Sequence, residues 1–532
     1  MPGGNFGKSS TVEPRSQGMN NGTAASPTQI SPIETVGIVG TGAMGRGIAQ
    51  IAAQAGLQVL LYDALPGAAA NARENIGRAL QRLVEKNRID SAQKSQAVSR
   101  LEVIIELQAL SSAQVVIEAV VENLEIKKQL FRQLEDIIAT DCILASNTSS
   151  LSVTAIAAAC KQPERVAGFH FFNPVPQMKI VEVVDGLLTA VSTTTALLDL
   201  GQRMGHQAVR AKDTPGFIVN HAGRGLVTEA LRILGEGVAD IGDVDAVMRE
   251  AAGFRMGPFE LMDLTGLDVS QPVMESIYHQ YYEEPRYRPS PLAAQRLAGG
   301  LLGRKSGRGF YDYRENNASP RAVPVVPAIL PDCAWVSRAI PGWGDMICAL
   351  VQQAGVTLET NTSPSATALC LVTPLGTDAS TCCEAEGLDP RRTVAVDALF
   401  ALKGRRTLMT TPVTIPEFRD QAHALLAHDG TPVSCIHDSA GLITQRILAT
   451  IVNIGCDIAQ QRIARPADID HAVRLGLGYP HGPLALGDVL GAQRVLAILE
   501  ALQGCSGDPR YRPSPWLKRR ALLDLSLLID EN

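Results

Sequence analysis

Three groups of residues in this chain have the types and spacing to do chemistry. In the first, the apolar run Val36-Gly37-Ile38-Val39 leads into Gly40-x-Gly42-x-x-Gly45. An amphipathic helical pattern follows, and a second run, Val59-Leu60-Leu61-Tyr62, ends on Asp63. A turn of this kind at a helix N-terminus offers unpaired N–H groups and partial positive charge to a phosphate. Gly40 suits the tight turn, Gly42 lets the backbone approach a pyrophosphate, and Gly45 lets helix pack on strand. Asp63, 18 residues past Gly45, suits the two hydroxyls of an adenosine ribose and repels a 2′-phosphate, so the dinucleotide expected is NAD rather than NADP. The second group is Ser146-Asn147-Thr148-Ser149-Ser150, after the apolar Ile143-Leu144-Ala145. Small polar residues past a strand's carboxyl end stand where ligands bind in a doubly wound sheet; the same residues also make an ordinary strand–helix cap. The third is His170-Phe-Phe-Asn173-Pro174, followed across a Pro-containing turn by Lys179-Ile-Val-Glu182-Val183. Two extended segments joined in this way bring Glu182 beside His170. A carboxylate there fixes the imidazole tautomer and stabilises its protonated form, as a dehydrogenase base requires. A lone histidine is more often structural; its place after a strand, next to a dinucleotide turn, points to function.

These residues need a frame, and the chain supplies one. From Val36 to about Val184, short β-branched runs (Val36–Val39, Val59–Tyr62, Val115–Ile117, Ile143–Ala145, Val166–Phe171) alternate with helical stretches over Ala68–Ile89 and Leu124–Ile138. That alternation predicts an α/β fold, a mainly parallel doubly wound sheet covered on both faces. Thr214-Pro215-Gly216-Phe217 breaks the pattern, and helices follow to about Tyr311. Pro320, Pro324, Pro327 and Pro331 mark a linker over 315–331. The chain then repeats itself. The block from Asp213 returns from Asp438 at a constant offset of 225, pairing Gly216 with Gly441, Asp245 with Asp470, Gly257-Pro258 with Gly482-Pro483 and Asp263 with Asp488. The all-α domain is therefore duplicated, and the copies are predicted to pack about a pseudo-two-fold axis. Between them, 332–437 reads as a degenerate α/β segment without a glycine fingerprint. In it, Ala368–Thr373 and Thr393–Val396 read as strands, and Arg406–Pro412 echoes Val166–Pro174, with Leu408 where His170 falls. The expected limits are a tail over 1–32, a Rossmann-type dinucleotide domain over 33–212, a helical domain over 213–314, the linker, the degenerate segment and a second helical domain over 438–532.

Composition excludes several functions. With 48 basic against 54 acidic residues and no basic block, nothing suggests nucleic acid. No apolar run reaches membrane-spanning length. Ten cysteines without a CxxC suggest neither a zinc site nor a disulfide framework, and fit the reduced thiols of a cytosol. Residues 1–32, rich in Gly, Ser, Asn, Pro and Thr, lack the apolar core of a signal peptide and read as a disordered tail.

Four longer motifs then occur in one order: SNTSSL at Ser146–Leu151, GFHFFNP at Gly168–Pro174, KIVEV at Lys179–Val183 and DTPGFIVN at Asp213–Asn220. In these the chain resembles the NAD-dependent 3-hydroxyacyl-CoA dehydrogenases, almost without gaps over residues 34–313. Its repeated half is similar to that of bacterial members with two helical domains, a subgroup that includes phenylacetate-pathway enzymes. The resemblance implies a catalytic set of His170, Glu182, Ser149 and Asn220. It implies NAD held by Gly40, Gly42, Ala43, Met44, Gly45, Asp63 and Asn147, with Glu122 and Lys127 on the nicotinamide side, Asn173 and Lys305 also at the cofactor, and no metal. The reaction implied is reversible oxidation of a (3S)-3-hydroxyacyl-CoA, of the 3-hydroxybutyryl or 3-hydroxyadipyl type, to the 3-oxoacyl-CoA, in β-oxidation or phenylacetate catabolism. The partner implied is an acyl-CoA small molecule, with neither nucleic acid nor membrane, a cytoplasmic setting and room for a homo-oligomer. His221 departs from the family, which usually has Arg there. In the second copy Gln445 replaces Asn220 and Ser-Ala-Gly-Leu replaces Thr-Pro-Gly-Phe, so one active site per chain is expected. Two rivals are a non-catalytic structural relative on the same fold and another NAD-dependent hydroxyacid dehydrogenase. An intact His170 and Glu182 stand against the first, and the lack of a lysine-base motif against the second.

Overall fold

Buried parallel strands read as near-continuous apolar runs because both faces are covered, and the N-terminal strands do so: β1 (Thr35–Val39), β4 (Val115–Glu118) and β5 (Ile143–Ser146) are buried along almost their whole length. With β2 (Gln58–Tyr62), β3 (Leu101–Val103), β6 (Val166–Phe171), β7 (Ile180–Asp185) and β8 (Gln207–Lys212) they form one eight-stranded sheet, ordered β3-β2-β1-β4-β5-β6-β7-β8. The computed structural model describes residues 33–314 and 326–531; the expected tail over 1–32 and most of the 315–331 linker lie outside the described residues. Six strands run parallel from β3 to β6, then β7 turns antiparallel to β6 and β8 runs parallel to β7. That one reversal sets His170 of β6 directly opposite Glu182 of β7. β3, of three residues, and β8, at the edge of the sheet with a mixed burial pattern, carry too little periodicity to stand out in the sequence.

A second sheet holds β9 (Cys333–Val336), β10 (Thr357–Glu359), β11 (Leu369–Val372), β12 (Thr393–Val396), β13 (Arg406–Thr410) and β14 (Val433–Ile436), ordered β10-β9-β11-β12-β13-β14. Its single antiparallel contact is β12 with β13, and β14 runs parallel to β13. The match to the first sheet is fixed by Asp213 and Asp438. Asp213 accepts from Val153 and Thr154 after β5, and Asp438 accepts from Ala379 and Ser380 after β11. So β11 corresponds to β5, β12 to β6, β13 to β7 and β14 to β8. This corrects the echo read in Arg406–Pro412: β13 is the counterpart of Glu182's strand, not of His170's. Glu182 pairs with Val209, and Thr407 pairs with Ser434, which lies 225 residues past Val209. Asp397 donates its N–H to Thr407 O across the antiparallel contact, so Asp397 stands where His170 stands and Thr407 where Glu182 stands. A short apolar strand before a Thr-Pro turn fits either position; only pairing distinguishes them. In the second sheet β9 leads through helix Pro341–Gln353 to its parallel neighbour β10, as β1 leads through helix Ala43–Gln54 to β2, and β11 lies directly against β9; on that match β3 and β4 have no counterpart among the described residues.

The helical copies close the molecule crosswise. Helix Arg224–Gly235 lies on helix Thr444–Gln460, its counterpart, and a Cβ on Gly225 would stand 2.9 Å from Ile451 Cα, so the close approach depends on glycine. The first copy reaches the second sheet through Asp243, which accepts from Ser434 Oγ at 2.9 Å, and through Glu250, paired with Arg405 at 3.0 Å. The second copy reaches the first sheet, where Lys212 donates its N–H to Ile463 O at 2.9 Å. One apolar cluster runs from Val153 and Ile180 through both helical copies to Leu527. No helix among the described residues is long and apolar enough to cross a membrane.

Candidate active site

Burying a carboxylate and an imidazole is costly unless each has a partner. Here His170 and Glu182 are almost wholly buried and joined by a bond of 2.6 Å between Nδ1 and Oε2. The other oxygen of Glu182 accepts the N–H groups of Ile218 at 3.0 Å and Val219 at 2.9 Å. Those N–H groups open the turn that carries Asn220, so one carboxylate ties His170 to the helical domain. A bond to a carboxylate calls for the proton on Nδ1, which in the neutral imidazole leaves the lone pair on Nε2. The rings of Phe172, 4.3 Å away, and Phe217, 5.8 Å away, pack against the imidazole.

The 146–150 loop is organised by Glu122. Its Oε1 accepts from Thr148 Oγ1 at 2.7 Å, from the N–H groups of Ser149 and Ser150 at 2.9 and 3.2 Å, and from both serine hydroxyls. Burial works against ionisation of Glu122, but Lys127 and these donors outweigh it and hold the carboxyl below its ordinary range. Asn220 Nδ2 lies 3.4 Å from Ser149 O, so the structure brings Ser149, Asn220, His170 and Glu182 together. Asn147 Oδ1 accepts from Phe171 N–H at 2.9 Å, locking the ends of β5 and β6 side by side. Lys127 does not reach the surface. It is buried, 2.6 Å from Glu118 and 3.3 Å from Glu122. Glu118 escaped the sequence reading; the signal was a carboxylate closing the apolar run Val115-Val-Ile-Glu118, which needs a buried cation nearby.

At the glycine turn, the residues fit a dinucleotide. Gly40 has φ +92°, and a Cβ there would stand 2.7 Å from Ala119 O. A Cβ on Gly45 would stand 1.9 Å from Gly40 O, whereas one on Gly42 would meet nothing within 4 Å. Gly42 is the N-cap of helix Ala43–Gln54 and has no side chain to cap it, so the N–H groups around Gly42, Ala43 and Met44 face open space. Asp63 lies at the end of β2. Its Oδ2 accepts from Thr41 N–H at 2.7 Å and Thr41 Oγ1 at 2.8 Å, and its Oδ1 from Leu65 N–H at 3.0 Å. Partial burial opposes these bonds, yet they keep its carboxyl below the ordinary range. Asp63 thus braces the glycine turn through Thr41, a role that the fingerprint alone does not reveal.

Two further positions stand differently. Asn173 is exposed three residues beyond His170, at the sheet's carboxyl end. Lys305 is not brought to the others: it pairs with Asp268 at the start of the 14-residue helix Leu267–Gln280, while Gln280 at the far end donates to Ser150 O at 3.2 Å, about 18 Å along the axis. Asp268 holds it there. His221, the departure from the family, is buried with Nε2 2.7 Å from Tyr287 Oη and Nδ1 3.2 Å from Tyr281 Oη. The duplication accounts for it. Its counterpart Arg446 is neutralised by Glu229 at 2.6 Å, whereas the counterpart of Glu229 is Ile454, so an arginine at 221 would face an apolar side chain. In the second half, Asp397 is bonded to Thr444 Oγ1 and to Gln445 Nε2, and Gln445 Oε1 accepts from Gly376 N–H at 2.8 Å. The side chain that replaces Asn220 is thus committed to its own loop.

Comparison with known proteins agrees with this architecture. Residues 35–214 match the family model described as 3-hydroxyacyl-CoA dehydrogenase, NAD binding domain, and the C-terminal domain of the same family matches twice, over 216–313 and 441–525. The chain is 39% identical to a 3-hydroxyadipyl-CoA dehydrogenase of Escherichia coli over 92% of its own length and 98% of that protein's. It is 41% identical to a probable 3-hydroxybutyryl-CoA dehydrogenase of Bacillus subtilis, covering 54% of this chain and 99% of that one. The crystal structure of a 3-hydroxybutyryl-CoA dehydrogenase from Escherichia coli superposes with a TM-score of 0.80 at 37% identity, covering 92% of this chain and 98% of that one. The two-copy layout is therefore shared with full-length relatives, and the chain belongs to the 3-hydroxyacyl-CoA dehydrogenase family.

Proposed function

We propose that this protein oxidises (3S)-3-hydroxyacyl-CoA thioesters to 3-oxoacyl-CoA with NAD+, at one site per chain. The observation that carries the reading is the buried His170–Glu182 pair, held at 2.6 Å toward the carboxyl end of β6, three strands along the sheet from the glycine turn after β1. The pyrophosphate would lie on the N–H groups at Gly42–Met44, the adenosine ribose at Asp63, and the nicotinamide over the ends of β4, β5 and β6. When bound, NAD+ supplies the acceptor for the hydride leaving C3. His170 Nε2 takes the hydroxyl proton as the C3–O bond becomes a carbonyl. Glu182 keeps the ring oriented and stabilises the imidazolium that forms, and its bonds to Ile218 and Val219 stop it from turning away. Ser149 and Asn220 would hydrogen-bond the substrate oxygens where charge develops. Phe172 and Phe217 keep water from the imidazole. The names of the relatives span four-carbon and six-carbon dicarboxylyl substrates, and the acyl chain is the variable to test. Free cysteines throughout fit a reducing cytoplasm. NADH formation at 340 nm with (S)-3-hydroxybutyryl-, 3-hydroxyhexanoyl- and 3-hydroxyadipyl-CoA tests the reading. Turnover of at least about 1 s⁻¹ with one of the three is expected; no NADH from any of them would overturn it.

A further inference from the structure

A guanidinium taken out of water is costly to hold unless an anion accompanies it. Among the described residues seven arginines are buried, and six of them have a carboxylate within 3.5 Å; Glu229, for instance, serves both Arg446 and Arg510. The seventh is Arg224, 8% exposed, which has none. Its Nε donates to Asn220 O at 2.8 Å, and its Nη1 is buried with no hydrogen-bond partner. Burial pulls this guanidinium down to about 10, and the neighbour that works against the shift is the Tyr479 phenol, itself kept protonated by burial. The fold does not require a cation here. At the offset of 225 the counterpart of Arg224 is Ala449, buried on the facing helix.

Arg224 follows Asn220 by four residues, and its guanidinium lies against the backbone of the residue whose side chain meets Ser149 O at 3.4 Å. In the reaction proposed above Asn220 serves the oxygen-bearing carbon C3, and what extends beyond C3 is the acyl chain. A six-carbon chain ends three carbon–carbon bonds past C3. The phosphates of CoA are a whole pantetheine arm away from it, and those of NAD belong at the Gly42 turn. We infer that Arg224 is a specificity residue that binds the terminal carboxylate of a dicarboxylyl-CoA substrate. This deepens the function proposed above and rests on it. Nη1 would donate to a carboxylate oxygen, and the substrate would bring the anion that the protein withholds. A chain ending in a methyl group would leave the guanidinium buried and unpaired, and is disfavoured for that reason.

Two thioesters that differ only at the far end, (S)-3-hydroxyadipyl-CoA and (S)-3-hydroxyhexanoyl-CoA, give the test, read on the full chain as the ratio of their kcat/KM values with NAD+. In the unaltered protein the ratio should favour the dicarboxylyl substrate by at least about tenfold. In Arg224→Met, which removes the charge and keeps the length, the ratio should fall by at least about tenfold. A phosphate of the coenzyme as the anion, or a purely structural role for Arg224, would lower both substrates alike; an unchanged ratio therefore overturns the inference. So does a ratio near one in the unaltered chain. Arg224→Gln, uncharged but polar, gives the same reading should Arg224→Met not fold. If the unaltered chain oxidises no 3-hydroxyacyl-CoA, the function proposed above falls as well; if it oxidises both thioesters with equal efficiency, only this inference falls.

Discussion

Asp63 and His221 show how much a single side chain can carry. Asp63 was legible from its distance to Gly45, and what the sequence does not reveal is that the glycine turn already occupies it through Thr41. A 2′-phosphate would have to approach a carboxylate fixed in place by three donors. NAD should therefore be preferred to NADP by at least roughly tenfold in kcat/KM, a clash on the order of 1.4 kcal/mol; equal values for the two would contradict the assignment. His221 was legible only as a departure. Burial, with Arg286 and Arg224 close by, pushes its imidazole down to about 3 from an ordinary 6.5. The unfolded chain therefore binds a proton that the folded chain refuses, and stability is lost as pH falls from about 6.5 toward 3. The slope is up to about 1.4 kcal/mol per pH unit. Denaturant midpoints at pH 7 and pH 5 should diverge less in His221→Phe than in the unaltered chain; equal divergence would mean that His221 is already protonated in the fold.

The elements were legible where periodicity is strong and ambiguous where a strand is short. Val36–Val39 and the helix after it announce themselves, because apolar run, glycines and amphipathic pattern agree. The strand Arg406–Thr410 does not, since five residues before a Thr-Pro turn carry too little pattern to say which neighbour they pair with. Its antiparallel pairing with β12 made it the counterpart of β7 and moved the position equivalent to His170 from Leu408 to Asp397. The loss of a β4 equivalent was invisible in the sequence for a related reason: a missing strand leaves no residues to read. It removes from the second unit the platform on which Glu118 and Glu122 stand. The glycine turn offers the test at this scale. In Gly45→Ala the new Cβ would stand 1.9 Å from Gly40 O, so the turn must open. The cost should be about 1–3 kcal/mol of stability, together with weaker NADH binding. Thermal melts with and without NADH check both, and a melt unchanged in each condition would show that the close approach is not required.

At the scale of the molecule, duplication turns a surface that could join two chains into one that joins two halves. Helices Arg224–Gly235 and Thr444–Gln460 meet at Gly225, and Glu229 is buried between Arg446 and Arg510 of the other copy, 2.6 and 3.5 Å away. Breaking such a pair leaves buried charge without a partner, which costs about 3–5 kcal/mol. A chain ending near residue 320 keeps the whole candidate site but uncovers that face, so it should aggregate or form a new dimer. Light scattering and size-exclusion chromatography would register this, and a soluble, monomeric, fully active fragment would show that the second half is dispensable. In the function proposed above, one site per chain, built on His170, does all the chemistry. It is tested most directly by the initial rate of NADH formation from (S)-3-hydroxybutyryl-CoA in His170→Gln, with NADH binding measured alongside. The predicted result is a fall in kcat of about 10²–10⁴-fold with NADH affinity little changed. A variant that keeps more than about a tenth of the original kcat would mean either that His170 is not the base or that the second half is active.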